Sequence, residues 1–463
     1  MIFSSKNKKK ERKEKCILTF ARSWNTVAAT RALGQEGVEV ITGDNAYLAA
    51  SNFSFYSKGF FRYPDPDKYP DKFIDKLVEV CREHSDPDTD LVLMPLHTDS
   101  FIVAEHRERF EGIAKLVLPG KDKIDLIGNK ANLSRFCSRH NINIPETVVI
   151  DSVEEFNDIA DSFSYPAFLK ISDSNAAIGL HKVESPEDAK KHFHSDCKKY
   201  NLKGNAMAIL QQAVPGEDYC STFLFENGEL RASMTYHNIL EYPKKSGMGA
   251  VRETVDATEM EAIGAKLLAL AEWHGVAEID FRWDGNSAPY LIEVNPRFWG
   301  GLGQSIESGW NYPYLLFRLA VDGHIETVKP DKHDVKTFNP CLVTMLMLQE
   351  YMEAKNTKTE MKRAFLEYLA EMKEDHFKAL DKLSDKLAAA LDPTERFQAV
   401  KKVLEENRDA VDELFKPKDP LPLLGLLYPL SVFLRNGKIS ADLLITGAAK
   451  SGSENTGKED EKS

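Results

Sequence analysis

Residues 278–301, EIDFRWDGNSAPYLIEVNPRFWGG, hold the densest set of side chains able to do chemistry. AEIDFRW alternates apolar and polar residues, DGNSAP has the composition of a turn, and YLIEVN is a second strand-like run, so the stretch reads as a β-hairpin. Residues two apart on a strand share a face, which puts Glu293 and Asn295 together, and Asp280 on the paired strand can reach that side. Two carboxylates and an amide carbonyl make an all-oxygen set, suited to a hard cation, magnesium more than zinc. Pro296 ends the strand and Arg297 follows, a fixed cation beside the carboxylates; a metal with a neighbouring arginine is what a polyphosphate needs. The same residue types also occur on solvated strand faces and in surface ion pairs, so the hairpin alone leaves both readings open.

Upstream elements supply further candidates. CILTF, a helical stretch ending at Gly37 and VEVITGD read as strand, helix, strand, which implies a parallel sheet. The loop between them, ARSWNT, lacks GxGxxG, so a nicotinamide cofactor is not expected. Residues 70–84 form an amphipathic helix and 91–95 a buried strand. Loops at the carboxyl ends of parallel strands bind ligands, so Arg22, Asn25 and Asp99 could line a substrate mouth; Asp99 as a helix cap and Arg22 as a solvated cation is the more ordinary reading. Lys130 stands near the start of a helix that ends before Pro145, where a lysine opposes the macrodipole unless an anion binds. AFLKI places Lys170 on the face opposite its apolar neighbours, ahead of a small-residue loop at 172–179 that can lay backbone N–H groups over phosphates. AILQQAVPGEDYC is two strands about a Pro-Gly turn: Gln211 and Gln212 end the first, and Asp218 opens the second. A strand end of this kind can offer amides to a purine edge and a carboxylate to ribose hydroxyls. A basic loop at 244–250 then precedes Arg252, and an apolar helix, 258–275, leads into the hairpin.

The bulk numbers limit the classes. A chain of 463 residues is too long for one core, and the formal net charge of −12 makes no general case for nucleic acid. Six scattered cysteines show neither zinc spacing nor a disulfide framework, which fits a reducing cytoplasm. Residues 1–15 lack the apolar core of a signal peptide and read as a disordered basic arm; 451–463 read as a polar disordered tail. No run is long and apolar enough to span a membrane.

In this order the motifs resemble the ATP-grasp carboxylate–amine ligases, the family of D-alanine–D-alanine ligase, biotin carboxylase and carbamoyl phosphate synthetase. The resemblance covers roughly residues 16–330, and within the family it is nearest to proteins with an EVNPRFWG signature, often linked to cell-surface polymers or peptide-like products. Asp280 precedes Glu293 by thirteen positions, and ExNPR stands intact as Glu293-Val294-Asn295-Pro296-Arg297. The implied fold is α/β and α+β: a parallel-sheet domain at 16–120, an ATP-grasp domain at 121–333 with subdomains 121–203 and 204–333, and a mainly helical region at 334–450.

The resemblance implies that Lys130 and Lys170 hold the α- and β-phosphates of ATP, that Gln211, Gln212 and the backbone of Ala213 and Val214 meet adenine, and that Asp218 takes the ribose. Asp280, Glu293 and Asn295 would bind two magnesium ions, for which manganese can substitute. Arg297 would stabilise the transferring phosphoryl group, with Arg252 facing the γ-phosphate or a substrate carboxylate. The expected partners are a small-molecule carboxylate and an amine; the carboxylate is activated as an acyl phosphate and the amine displaces phosphate. Two departures stand out: the hinge position Gln211 is usually acidic, and the loop 172–179 is poor in glycine.

Residues 344–415 have helical periodicity, with Met361, Phe365, Leu369, Met372, Leu380, Leu383 and Leu387 as an apolar stripe. An added helical packing unit or a dimer contact is expected. The apolar segment 419–435 is split by prolines and is expected to pack on the ATP-grasp domain.

Overall fold

The computed structural model describes residues 12–173, 179–204, 206–243, 247–329, 334–353, 357–371, 382–386, 401–403 and 405–427. Of the expected features, the arm up to residue 11, most of the loop 172–179, residues 244–246 of the basic loop, the side chains of Met361, Met372, Leu380 and Leu387, residues 428–435 and the tail lie outside the described residues.

The N-terminal layer is a parallel sheet of β1 (Lys13–Leu18), β2 (Glu39–Asp44), β3 (Ser57–Arg62) and β4 (Thr89–Met94), in the order β3-β2-β1-β4. The inner parts of its central strands, Cys16–Leu18 and Val40–Asp44, are buried because helices cover both faces. The helix Pro70–His84 presents Phe73, Ile74, Leu77, Val78 and Cys81 to one face, and Trp24–Gln35 covers the other. The first strand begins at Lys13, inside the segment assigned to a disordered arm. The Lys13 N–H donates to the Asp88 carbonyl, and the strand pairs from Lys13 opposite Thr89.

A second sheet is antiparallel, formed by β5 (Thr147–Ile150), β6 (Ala167–Ile171), β7 (Leu180–Val183) and β8 (Ala208–Gln212), in the order β5-β8-β6-β7. Its apolar face packs under the helices Val153–Ser162 and Pro186–Tyr200 through Phe156, Phe193, Leu169 and Leu210. The third sheet contains β9 (Glu217–Glu226), β10 (Glu229–Tyr242), β11 (Met248–Val255), β12 (Gly275–Trp283), β13 (Tyr290–Asn295), β14 (Lys336–Phe338) and β15 (Val411–Asp412), in the order β13-β12-β9-β10-β11-β14-β15. The expected hairpin is β12–β13. One of its faces joins a core with the helices Lys130–Arg139 and Thr258–Leu270 through Ile279, Phe281, Leu291, Val294, Phe223 and Leu267.

The C-terminal region is largely helical where it is described, with additions at its edges. It is helical at Pro340–Glu353 and Thr357–Glu371, but it also adds β14 and β15 to the edge of the large sheet. Phe365 and Leu369, expected on a packed stripe, are exposed. The segment after residue 419 packs against the N-terminal layer: the 3₁₀ turn Leu421–Leu426 lies on Ala50–Phe53, with Gly425 directly against Ala50.

Candidate active site

The β12–β13 register sets Asp280 opposite Glu293 and Glu278 opposite Asn295, so four polar side chains stand on one face of the hairpin. Alternation accounts for Glu278 with Asp280 and Glu293 with Asn295, but it fails beyond Glu293: Leu291, two residues before, lies in the core. The pairing slips between Asp280/Glu293 and Phe281/Leu291, and this β-bulge turns the face over. Asp280 Oδ1 accepts from the Cys220 thiol at 3.2 Å, and Asp280 Oδ2 from Asn295 Nδ2 at 3.2 Å. Glu278 accepts from the Tyr236 hydroxyl at 2.5 Å and from Asn295 Nδ2 at 3.3 Å. Arg297 donates to Asn295 Oδ1 at 3.1 Å and to the Phe298 carbonyl at 2.8 Å.

This cluster is electrostatically loaded. Burial first, then Glu278 and Glu293, push the Asp280 carboxyl well above its ordinary range. Glu278 is raised as well, chiefly by burial, against the pull of Tyr236, Arg297 and Arg252. Converging carboxylates with raised affinity for protons are a set that a divalent cation would neutralise, and the oxygen donors of Asp280 and Glu293 fit one. Asn295 holds its amide nitrogen toward the carboxylates, so its oxygen can join the set only with the amide turned over.

The two expected lysines approach the hairpin from other elements. Lys130 is the first residue of Lys130–Arg139; the Asn129 side chain accepts from Ala131 N and Asn132 N to cap that helix, and Lys130 Nζ lies 4.0 Å from Glu293 Oε2. Lys170 on β6 is buried. Burial, opposed by Glu293 and Asp280 but reinforced by Lys130, brings its ammonium down to about 8.

Gln211, Gln212, Ala213 and Arg252 each have partners within the protein. The Gln211 side chain does not face an adenine edge: Lys170 Nζ donates to its Oε1 at 2.8 Å, and its Nε2 donates to Thr147 at 3.0 Å. Period two on β8 turns it inward to seat the lysine. The Ala213 N–H, expected as a purine contact, donates to the Pro166 carbonyl at 3.0 Å, while Gln212 N donates to Glu146 O at 2.8 Å. Arg252 is buried on β11 and donates to Glu413 Oε1 at 2.9 Å, so its nearest anion belongs to the C-terminal region. Asp218 is paired with Arg282 at 2.6 Å. Burial and then the neighbouring Asp218 lift the Glu241 carboxyl to about 8, which makes a second acidic cluster at the outer end of the same sheet.

Glu278, Cys220, Tyr236, Glu241 and Glu413 were not singled out from the sequence. Glu278 was within reach, since it is two positions before Asp280 on a strand. Cys220 and Tyr236 come into line with Asp280 only through the strand order: Tyr236 pairs with Cys220, and Cys220 with Asp280. In the N-terminal layer Arg22 is not solvated; it chelates the buried Asp44, with NH2 to Oδ1 at 2.5 Å and Nε to Oδ2 at 3.1 Å. Asp99 accepts from the His97 N–H at 3.0 Å and burial lifts it to about 6. Ser100 and Arg297 line one small cavity between β4 and the Pro296–Phe298 turn, so the N-terminal layer reaches the end of the hairpin.

Residues 209–339 match the family model described as ATP-grasp in the biosynthetic pathway with Ter operon. The chain carries an ATP-grasp domain. Among curated proteins it is similar to D-alanine–D-alanine ligase of Nitrosomonas europaea, 21% identical over 166 residues, covering 33% of this chain and 52% of the relative. It is also similar to pyruvate carboxylase of Pichia angusta, 22% identical over 244 residues, covering 48% of this chain and 20% of the relative. The chain thus spans between a fifth and about half of the length of these relatives. Its fold is similar to L-amino acid ligase from Bacillus licheniformis, with a TM-score of 0.53, 14% identity, and 71% of this chain and 80% of that one covered. It is also similar to the biotin carboxylase domain of 2-oxoglutarate carboxylase from Hydrogenobacter thermophilus, solved with MgADP and bicarbonate, with a TM-score of 0.54, 14% identity, and 71% and 73% covered. The ATP-grasp match ends at β14, so the segment bearing Glu413 lies beyond it. Among the described residues no helix is long and apolar enough to cross a membrane.

Proposed function

We propose that this protein is an ATP-dependent ligase that activates a small carboxylate as an acyl phosphate and couples it to an amine, releasing ADP and phosphate. The observation that carries this reading is the convergence of Lys130, Lys170 and Arg297, drawn from three separate elements, on the carboxylates of the β12–β13 hairpin. Three cations and an acidic oxygen set in one cleft answer the main obstacle, the repulsion between a carboxylate and a triphosphate.

In this reading Asp280, Glu293 and a turned Asn295 hold magnesium, two ions in the full complement. Bound there, magnesium would neutralise phosphate charge and act as a Lewis acid on the transferring group. Lys130 and Lys170 bind the α- and β-phosphates, and Gln211 keeps Lys170 aimed by occupying one of its donors. Arg297, tied to Asn295 and to its own turn, stabilises charge on the transferring phosphoryl. The end of β8 around Gln212 to Val214 takes the base, and Asp218 with Glu241 takes the ribose. Arg252 serves the reacting end. Domain limits of 16–120 and 121–333 fit this division of labour, with the smaller substrates entering between the N-terminal layer and Arg297. Free cysteines throughout fit a cytoplasmic setting, and a homodimer built on the exposed apolar face of Thr357–Glu371 is the oligomer this reading favours.

ADP release with Mg-ATP and a pooled panel of amino acids, short peptides and polyamines tests the proposal, with Glu293→Gln as control. Release that depends on the pool and falls at least about 100-fold in the variant supports it. Release that is indifferent to Glu293→Gln refutes it. A carboxylase is the second reading, favoured by the likeness to pyruvate carboxylase; release driven by bicarbonate without any amine would select it.

A further inference from the structure

The ion pair between Arg252 and Glu413 joins the large sheet to a segment outside the ATP-grasp match. Both side chains are almost fully buried, at 2% and 4% exposed. Arg252 NH1 donates to Glu413 Oε1 at 2.9 Å, and the Thr337 hydroxyl donates to the same oxygen at 2.6 Å. The backbone fixes Glu413 as well. β15 pairs in parallel with β14, and the Glu413 N–H donates to the Phe338 carbonyl at 3.1 Å. An arginine has many rotamers to lose and five donors to place, and a single carboxylate held by a sheet restrains both.

The rest of the guanidinium lies beside Gly300, on the turn that follows Arg297, and beside Gly249 on its own strand. A Cβ on Gly300, three residues after Arg297, would stand 4.0 Å from Arg252 NH2, and one on Gly249 would stand 3.0 Å from Nε. A Cβ on Gly301 would collide with the Tyr236 hydroxyl at 2.5 Å. A side chain at Gly300 would meet Met248 first, at 2.8 Å, and the missing side chain at Gly301 leaves room for the Tyr236 hydroxyl that meets Glu278. The Arg252 charge acts on both of those groups.

We infer that Glu413 is a positioning residue for Arg252, and that the C-terminal region thereby completes the active site in place of serving only as added packing. Glu413 orients the guanidinium; Arg252 then offers its remaining donors to the anionic reacting groups between Arg297 and Glu278. The inference rests on the ligase reading above.

The test uses the full chain with Glu413→Gln, Glu413→Ala, Arg252→Ala and the double variant Arg252→Ala/Glu413→Ala. Kinetic constants for ADP release are measured with Mg-ATP and the most active pool, beside Glu293→Gln. Glu413→Gln keeps a hydrogen-bond acceptor and should retain a substantial part of kcat. Glu413→Ala should lower kcat about 10- to 100-fold, the scale of an ångström-level misplacement, with KM for Mg-ATP changed less than about threefold. The double variant should be no slower than Arg252→Ala alone, because Glu413 acts through the arginine. It also removes the unpaired buried charge, so it stays informative where Glu413→Ala folds poorly. Glu413→Ala, folded and within twofold of the wild-type kcat, overturns the inference, as do losses that multiply in the double variant. Both of those outcomes leave the ligase reading intact when Glu293→Gln is inactive. Turnover that does not depend on Glu293 refutes the ligase reading and this inference with it.

Discussion

Lys170 is the side chain whose charge is most finely balanced. Burial and Lys130 pull its ammonium down to about 8, while Glu293 and Asp280 hold it up. In the free protein it therefore loses its proton as pH rises through about 8, well below the usual lysine range. A phosphate ligand favours the charged form, so nucleotide binding must take up a proton above that pH. The affinity for Mg-ADP should weaken by up to about tenfold per unit above pH 8, and Lys170→Arg, charged throughout, should flatten the profile. Calorimetric titration between pH 6.5 and 9.5 checks this; a flat wild-type profile would sink it. Strand periodicity and residue type were enough to put Asp280 and Glu293 on one face, whereas Lys130 and Lys170 reach the hairpin from a helix and from another sheet and stood out only by their own local contexts. The Gln211 side chain is turned inward by that same periodicity and meets Lys170, a contact that no local pattern marks.

At the scale of elements, the β12–β13 hairpin depends on how closely a helix approaches its back. Gly264 in Thr258–Leu270 lies over Phe223 and Ile279, where a Cβ would stand 2.3 Å and 3.1 Å from their side chains. Ile279 is the neighbour of Asp280, so backing off the helix moves the strand that carries the metal set. Gly264→Ala should cost about 1–3 kcal/mol by overpacking, offset by up to about 1 kcal/mol of helix propensity, and should weaken Mg-ADP binding. Urea unfolding and calorimetry measure both; a variant more stable than wild type with unchanged affinity would contradict the packing argument. The strands and the apolar helix were readable from periodicity. The bulge at Ile292 was not: YLIEVN passes for an alternating run, and only the pairing shows that Leu291 and Glu293 face opposite ways.

In the whole molecule, the residues just after β15 link the outer two layers. While Glu413 meets Arg252, Asp419 is buried against Arg31 of the N-terminal layer at 2.8 Å and also accepts from the Ser54 hydroxyl and the Phe55 N–H, each at 2.8 Å. Asp419→Ala strips a buried arginine of its counter-charge and should cost about 3–5 kcal/mol. Urea unfolding should show that loss, and a change under about 1 kcal/mol would contradict it. The segment's destination was misjudged from the sequence, which directed it to the ATP-grasp domain. Its apolar residues say that it must pack but not on what, and the carboxylate that chooses the partner, Asp419, sits 388 residues in chain distance from Arg31. The family order of motifs made the central domain legible; nothing local marks a contact between chain ends.

That same strap carries a consequence for synthesis. Strands β1 to β14, together with Arg31 and Arg252, are synthesised before Glu413 and Asp419 exist. Until then two arginines destined for burial have no counter-ion, and water is their best partner. Glu413 and Asp419, arriving with the last paired strand, supply those counter-charges.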